Sequence, residues 1–327
     1  MHILVLGAAG MVGRKLTERL LRDGRLGNGD ITRMTLQDVV APATAKAGFP
    51  IDTVTGDFAV AGFAEKLVAD RPDVIFHLAA IVSGEAELDF DKGYRINLDG
   101  TRMLLDAIRL AGGGYKPRLI FTSSIAVFGA PFPDAIGDEF FQTPLLSYGT
   151  QKAIGELLLA DYTRRGFMDG IGIRLPTICI RPGLPNKAAS GFFSNILREP
   201  LAGKEVVLPV SEDVRHWHAT PRSAVGFLLH AATIDSAAVG ARRNLTMPGL
   251  SATVGEEIAA LKRVAGDKVA GRIKREPDPF IMGIVDGWPR NFDAKRALKL
   301  GFTTAEKTFD DIIKIHIEDE LGGKFAA

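Results

Sequence analysis

Apolar residues come in short runs along the first half of the chain, each closed by a small or polar cluster. Ile3-Leu4-Val5-Leu6 breaks into Gly7-Ala8-Ala9-Gly10-Met11-Val12-Gly13, and a helical spacing follows with Val12, Leu16, Leu20 and Leu21 on one side. Met34-Thr35-Leu36 ends at Asp38, and Ile51 to Val54 ends near Gly56-Asp57. Val74-Ile75-Phe76 runs into His77-Leu78-Ala79-Ala80, Leu119-Ile120-Phe121 into Thr122-Ser123-Ser124, and Ile171-Gly172-Ile173 into Arg174. Helical patterns lie between most of these runs, among them Asn97 to Leu110 and Tyr148 to Tyr162. Short buried strands alternating with helices predict an α/β fold whose parallel sheet is covered on both faces. Right-handed crossovers then favour the doubly wound arrangement.

Past about Arg174 the alternation weakens and prolines gather, at Pro176, Pro182, Pro185, Pro200, Pro209 and Pro221. The expected organisation is a sheet domain over residues 1–175 and a smaller mixed α/β lobe over 176–327. That lobe is interleaved with the last strands of the sheet. Residues from Gly322 onward are expected to fray. Forty basic against 39 acidic residues give a net charge of +1, so no global field favours nucleic acid or a membrane surface. The 46% hydrophobic and 24% charged content excludes a disordered or fibrous chain. A single cysteine, Cys179, excludes an internal disulfide framework and reads as a packed core residue. No leader pattern is visible, and no apolar run approaches the roughly 18 residues needed to cross a bilayer. The expectation is a soluble, cytoplasmic protein.

Gly7, Gly10 and Gly13 sit between a strand and a helix, with Asp38 25 residues past Gly13. That setting suits a dinucleotide. Gly7 permits a tight exit from the strand, Gly10 lets the backbone approach a pyrophosphate, and Gly13 lets the helix pack close. The helix start at Met11 and Val12 offers free amides to phosphate. Arg14 in the first turn is unfavourable unless an anion is near. A carboxylate at Asp38 accepts hydrogen bonds from ribose hydroxyls and repels a 2′-phosphate, which favours NAD over NADP, although Arg33 and Lys46 flank it. Asp57 caps either the adenine edge or a helix.

Tyr148 and Lys152 are four apart in a helical stretch and project from one face. A tyrosine ionises near ~10, and moving it to ~7 takes roughly 4 kcal/mol at ~1.4 kcal/mol per unit. A nearby ammonium and a cationic cofactor each supply part of that. Lys152 is also placed to hydrogen-bond the nicotinamide ribose. Ser124 ends a strand, where reacting groups gather in doubly wound sheets. It is suited to hold a substrate oxygen while Tyr148 moves the proton.

With these elements in order, the chain resembles an extended short-chain dehydrogenase/reductase, of the NAD-dependent epimerase/dehydratase type with a Rossmann-type sheet. The matching elements are Gly7–Gly13, Asp38, Asp57, His77-Leu78-Ala79-Ala80, Asn97-x-x-Gly100-Thr101, Ser123-Ser124-x-x-Val127-x-Gly129, Tyr148-x-x-x-Lys152 and Arg174. The resemblance implies a Ser124, Tyr148 and Lys152 triad. It also implies a supporting Asn97 at the cofactor site, and Pro176 and Thr177 near the nicotinamide. It implies homodimers through helices near Asn97–Leu110 and Tyr148–Tyr162.

The stretch from Arg181-Pro182-Gly183 through Asn186, Ser190 and Phe193, followed by Arg198-Glu199-Pro200-Leu201, is similar to the D-erythronate dehydrogenase group. That implies oxidation of a four-carbon sugar acid to its 2-oxo acid. Nucleotide-sugar members usually carry Tyr where this chain has Phe128, and two acids where it has Thr220-Pro221-Arg222. The 4,6-dehydratase branch has an acid pair where this chain has Ile125. Ser124, Asn186, Ser190, Arg181 and Arg222 are candidate substrate contacts, each arginine being otherwise a surface charge. Ser83 either touches substrate or turns its loop. His216 and His218 have a metal-like spacing, but no cysteine or acid cluster stands beside them. The alternative reading is a nucleotide-sugar 4-epimerase with tightly held NAD. A non-catalytic dinucleotide sensor is a third class, against which the Tyr148/Lys152 pair counts.

Overall fold

The structure, a computed structural model, describes residues 1–183 and 190–326. The strands that shape the site are β1 (His2–Leu6), β2 (Arg33–Asp38), β3 (Ile51–Thr55), β4 (Val74–His77), β5 (Arg118–Ser124), β6 (Asp169–Leu175), β7 (Thr177–Ile178), β8 (Arg215–Ala219), β9 (Asn244–Thr246) and β10 (Leu250–Thr253). The main helices are α1 (Met11–Asp23), α2 (Thr101–Leu110), α3 (Ser147–Arg164), α4 (Gly191–Leu201), α5 (Pro221–Thr233), α6 (Val254–Ala265), α7 (Pro279–Asp286) and α8 (Phe309–Leu321).

Seven strands form one parallel sheet in the order β3-β2-β1-β4-β5-β6-β9. The order reverses beside β1, so the strand ends there open a crevice between crossovers that leave in opposite directions. All four residues of the run Ile3 to Leu6 are buried, because both sheet faces are covered. Ile3 and Val5 pack with Leu16 and Leu20 of α1 and Leu228 of α5. Leu4 and Leu6 point the other way, to Leu104 and Ile108 of α2 and Leu159 of α3. Each such side chain contributes ~1.5–3 kcal/mol on burial.

The second half of the chain divides its work. α5 covers the sheet beside α1, and β9 adds the seventh strand next to β6. Asn244–Thr246 was not among the strands read from the sequence: Leu245 stands between two polar residues, so no apolar run marks it. The remainder builds a second core, with Phe193 and Leu197 of α4, Leu261 of α6 and Ile312 and Ile313 of α8. A small mixed sheet, β7-β8-β10, joins the two cores. The expected fraying after Gly322 is not what forms. Phe325 packs on the second core, and the Ala326 N–H donates to the Leu201 carbonyl. An aromatic four residues past the helix end recovers apolar burial that a tail of glycines would not.

Candidate active site

The glycine turn has the geometry of a phosphate cradle. Gly7 holds φ at +85°, and a Cβ there would lie 2.7 Å from the Ala79 nitrogen. A Cβ on Gly13 would lie 2.1 Å from the Gly7 carbonyl oxygen, so α1 packs against the turn only with glycine there. α1 begins at Met11 with no side-chain cap and no acid in its first turn. Its first amides therefore remain available to an anion. Arg14 is exposed beside them. Asp38, at the end of β2, accepts the Ala9 N–H at 2.9 Å. These features fit a dinucleotide: amides for its phosphates and a strand-end carboxylate for a ribose. Arg33 is occupied by Asp52 and Asp70, at 2.7 and 2.8 Å.

A cleft of about 940 Å³ runs from this turn into the second lobe. Gly7, Gly10, Met11, Val12 and Gly13 line it at the turn, together with Leu78 and Ala80 of the loop packed against Gly7. Ser124, Tyr148, Lys152, Pro176 and Thr177 line its middle; Ser83, Arg181 and Ser190 line its far end. Thus the strand-end serine, the helical tyrosine–lysine pair and the glycine turn face one cavity.

Local packing explains the convergence. Ser124 ends β5 in a turn whose Ala126 N–H donates to its Oγ at 3.1 Å. A side chain at residue 149 would lie 2.1 Å from the Ala126 carbonyl oxygen. Gly149 therefore lets α3 ride directly on this turn, which brings its neighbour Tyr148 into hydrogen-bonding reach of Ser124. Burial pushes the Tyr148 hydroxyl up to about 12, opposed by the Arg181 charge and the Ser124 hydrogen bond. Burial also brings the Lys152 ammonium down to about 8, with the Glu156 carboxylate pulling the other way. The Lys152 Nζ donates to the Thr122 carbonyl at 2.8 Å and lies 5.7 Å from the Tyr148 ring centroid. At the Tyr148 hydroxyl the cation that opposes burial is Arg181.

Asn97 is 1% exposed and does not line the cleft. Its Oδ1 accepts the Ile81 N–H at 2.9 Å, and its Nδ2 donates to the Ile81 carbonyl at 3.2 Å and to Gln151 at 2.8 Å. It therefore braces the loop after β4 against α3. Asp57 does not line the cleft: it accepts the Ala59 N–H and pairs with Arg95 at 2.6 Å. Arg222 is not brought to the cleft either. It is exposed and paired with Glu318 and Asp319 of α8, so its place among the substrate contacts is corrected to a link between helices. Asn186 lies outside the described residues.

Arg181 is held by its Nε on the Ile178 carbonyl at 3.0 Å and its Nη2 on Ser190 Oγ at 2.8 Å. Burial lowers its pKa, yet among the described residues it makes no ion pair. A desolvated guanidinium lining a cleft is a receptor for an anion. His216 also lines the cleft and was read from the sequence only as a weak metal ligand. Among the described residues no group of three or more His, Cys, Asp or Glu side chains is placed to hold a metal. Burial holds His216 and His218 down at about 3. Cys179 is fully buried, its thiol pushed up by burial.

Residues 3–226 match the NAD dependent epimerase/dehydratase family. The chain belongs to that family. Its cofactor is NAD, and it is an enzyme of the dehydrogenase type. Members similar over nearly their whole length include a D-erythronate dehydrogenase of Cupriavidus necator, 45% identical over 98% of both chains. A D-erythronate dehydrogenase of Haemophilus influenzae is 40% identical over 98% of this chain and 100% of its own. Among solved structures, a nucleoside-diphosphate-sugar epimerase from Agrobacterium tumefaciens superposes with a TM-score of 0.97. It is 68% identical and covers 99% of this chain and 95% of its own. No described helix is long and apolar enough to cross a membrane.

Proposed function

We propose that this family member oxidises a hydroxyl of a small sugar acid, D-erythronate or a close relative, to the 2-oxo acid. Bound NAD supplies the hydride acceptor and a cationic ring that favours ionisation of a nearby phenol. The protein's part is to move one proton and fix one oxygen. Tyr148 removes the hydroxyl proton while Ser124 holds the same oxygen. Lys152, on the same face of α3, holds the nicotinamide ribose, with Asp38 on the other ribose. Gly7, Gly10 and Gly13 would admit the pyrophosphate to the amides of Met11 and Val12; Leu78, Ala80, Pro176 and Thr177 line the cleft, and Ala79 backs Gly7.

The observation that carries the substrate class is Arg181: a half-buried cation that makes no ion pair among the described residues, in the same cleft as Tyr148. A carboxylate completes it, with Ser190 beside it and Ser83 lining the same cleft. The two D-erythronate dehydrogenases support the same reading. A second reading, a nucleotide-sugar 4-epimerase, is favoured by the name of the Agrobacterium structure and by a cleft of about 940 Å³. A panel of sugar acids and nucleotide sugars with free NAD separates the two. Net NADH absorbance with sugar acids is the expected result. Isomerised nucleotide sugar without net NADH defeats the sugar-acid reading.

The active species is a homodimer in the cytoplasm. Leu110 of α2 and Leu157 of α3 are exposed apolar side chains on the helices that would meet. Light scattering at the mass of one chain counts against it.

A further inference from the structure

His216 spans the cleft region with both ring nitrogens. Its Nδ1 lies 2.8 Å from the Pro289 carbonyl oxygen and its Nε2 lies 2.7 Å from Thr177 Oγ1. A carbonyl only accepts, so Nδ1 carries the hydrogen. In a neutral ring Nε2 is then the acceptor and the Thr177 hydroxyl donates to it. The ring is clamped between Phe193, stacked at 5.1 Å and 3°, and Trp288 at 5.4 Å. One tautomer thus joins two walls of the cleft: Thr177 of β7 and the Trp288–Pro289 segment that follows α7.

α7 needs such a tether. Its sequence, Pro-Phe-Ile-Met-Gly-Ile-Val-Asp, is almost wholly apolar, yet only Val285 is buried and Phe280 is 75% exposed. Little burial energy holds it in place. Pro279, Phe280, Gly283 and Ile284 nevertheless line the cleft. Asp278 caps its first turn, accepting the Phe280 N–H at 2.9 Å. At its far end the segment is held by His216 on Pro289, by the Ser251 hydroxyl on the Arg290 carbonyl at 2.8 Å, by the Ile136 N–H on the Asn291 carbonyl at 3.0 Å, and by Val285 and Trp288 against the second core.

We propose that His216 is a positioning residue that holds α7 against the cleft through its bond to the Pro289 carbonyl, the Thr177 hydroxyl serving only to fix the tautomer, and thereby shapes the pocket for the substrate. The inference rests on the sugar-acid reading for the identity of that substrate, but not for the tether.

Two variants separate the two bonds. His216→Asn keeps an amide nitrogen where Nδ1 stands and loses Thr177. His216→Gln reaches Thr177 and loses Pro289. Hydrogen exchange of the amides of residues 280–288, read by mass spectrometry on the full chain without ligand, is expected to quicken at least fivefold in His216→Gln. His216→Asn stays within twofold of wild type. In steady state His216→Gln raises the KM for the sugar acid about tenfold while kcat changes less than threefold, and His216→Asn restores most of the KM. Equal exchange at 280–288 in the two variants, or an unchanged KM in His216→Gln, overturns the proposal. Failure of the wild-type protein to oxidise any sugar acid defeats the functional reading instead, and the exchange contrast still decides the tether.

Discussion

The Arg174 guanidinium grips the Glu156 carboxylate twice, Nε to Oε1 at 2.9 Å and Nη2 to Oε2 at 2.7 Å. Glu156 is 1% exposed and lies one turn of α3 beyond Lys152. Ser123 and Gln142 donate to the same carboxylate. The pair therefore ties β5, β6 and α3 together behind the reacting groups. Removing one partner strands a buried charge. Glu156→Gln is expected to cost about 3–5 kcal/mol, read by denaturant unfolding; a loss under 1 kcal/mol would show that the pair is dispensable.

Tyr148→Phe keeps the ring and deletes the proton-carrying group. Proton transfer by a positioned side chain is worth ~10²–10⁴ in rate. Turnover is expected to fall by that factor while NADH binding, followed by its fluorescence, stays within a few-fold. Turnover at the wild-type rate would remove Tyr148 from the mechanism.

Asp38→Ser removes the charge at the end of β2 while retaining a small polar group near the Ala9 N–H. The ratio of kcat/KM for NAD over NADP is expected to drop at least tenfold, because a carboxylate repels the 2′-phosphate. A ratio that does not move places the ribose elsewhere.

Arg181→Met takes the cation out of the cleft but preserves much of its volume. The KM for a sugar acid is expected to rise ten- to a hundredfold, an effect of ~1.4–3 kcal/mol on a charge-assisted bond. A neutral polyol of the same length should be indifferent to the change. Equal effects on acid and polyol would assign Arg181 to packing.

Acid should unfold the protein through its buried imidazoles. Burial lowers His77, His216 and His218 from 6.5 to about 3 each. The unfolded chain then binds protons that the folded one refuses, so their stability is present above pH 6.5 and lost as pH falls toward 3. Each imidazole that stays neutral in the fold adds about 1.4 kcal/mol per pH unit in that window, and the buried Glu257 carboxyl beside His218, whose proton affinity burial raises, offsets part of the sum. Denaturant midpoints between pH 7 and 4.5 check this, and stability that holds level across that range contradicts it.

Local covalent rules made much of this molecule legible without coordinates. The strand runs ending at Gly7, Asp38, His77 and Ser124, and the four-residue spacing of Tyr148 and Lys152, need only the periods of strand and helix and the freedom of glycine. Those rules act between near neighbours, so they appear in the sequence. What they do not carry is which distant groups meet. Arg174 stands 18 residues from Glu156, and Arg222 is drawn to acids of α8 nearly a hundred residues on. Thr177, His216 and Pro289 are separated by 39 and 73 residues, yet share one pair of hydrogen bonds. The proton affinity of Tyr148 depends on how deeply it is buried and on the distance to Arg181, and no spacing encodes either. Only the closed packing of sheet and helices decides which charges lose their water and which partner remains to replace it.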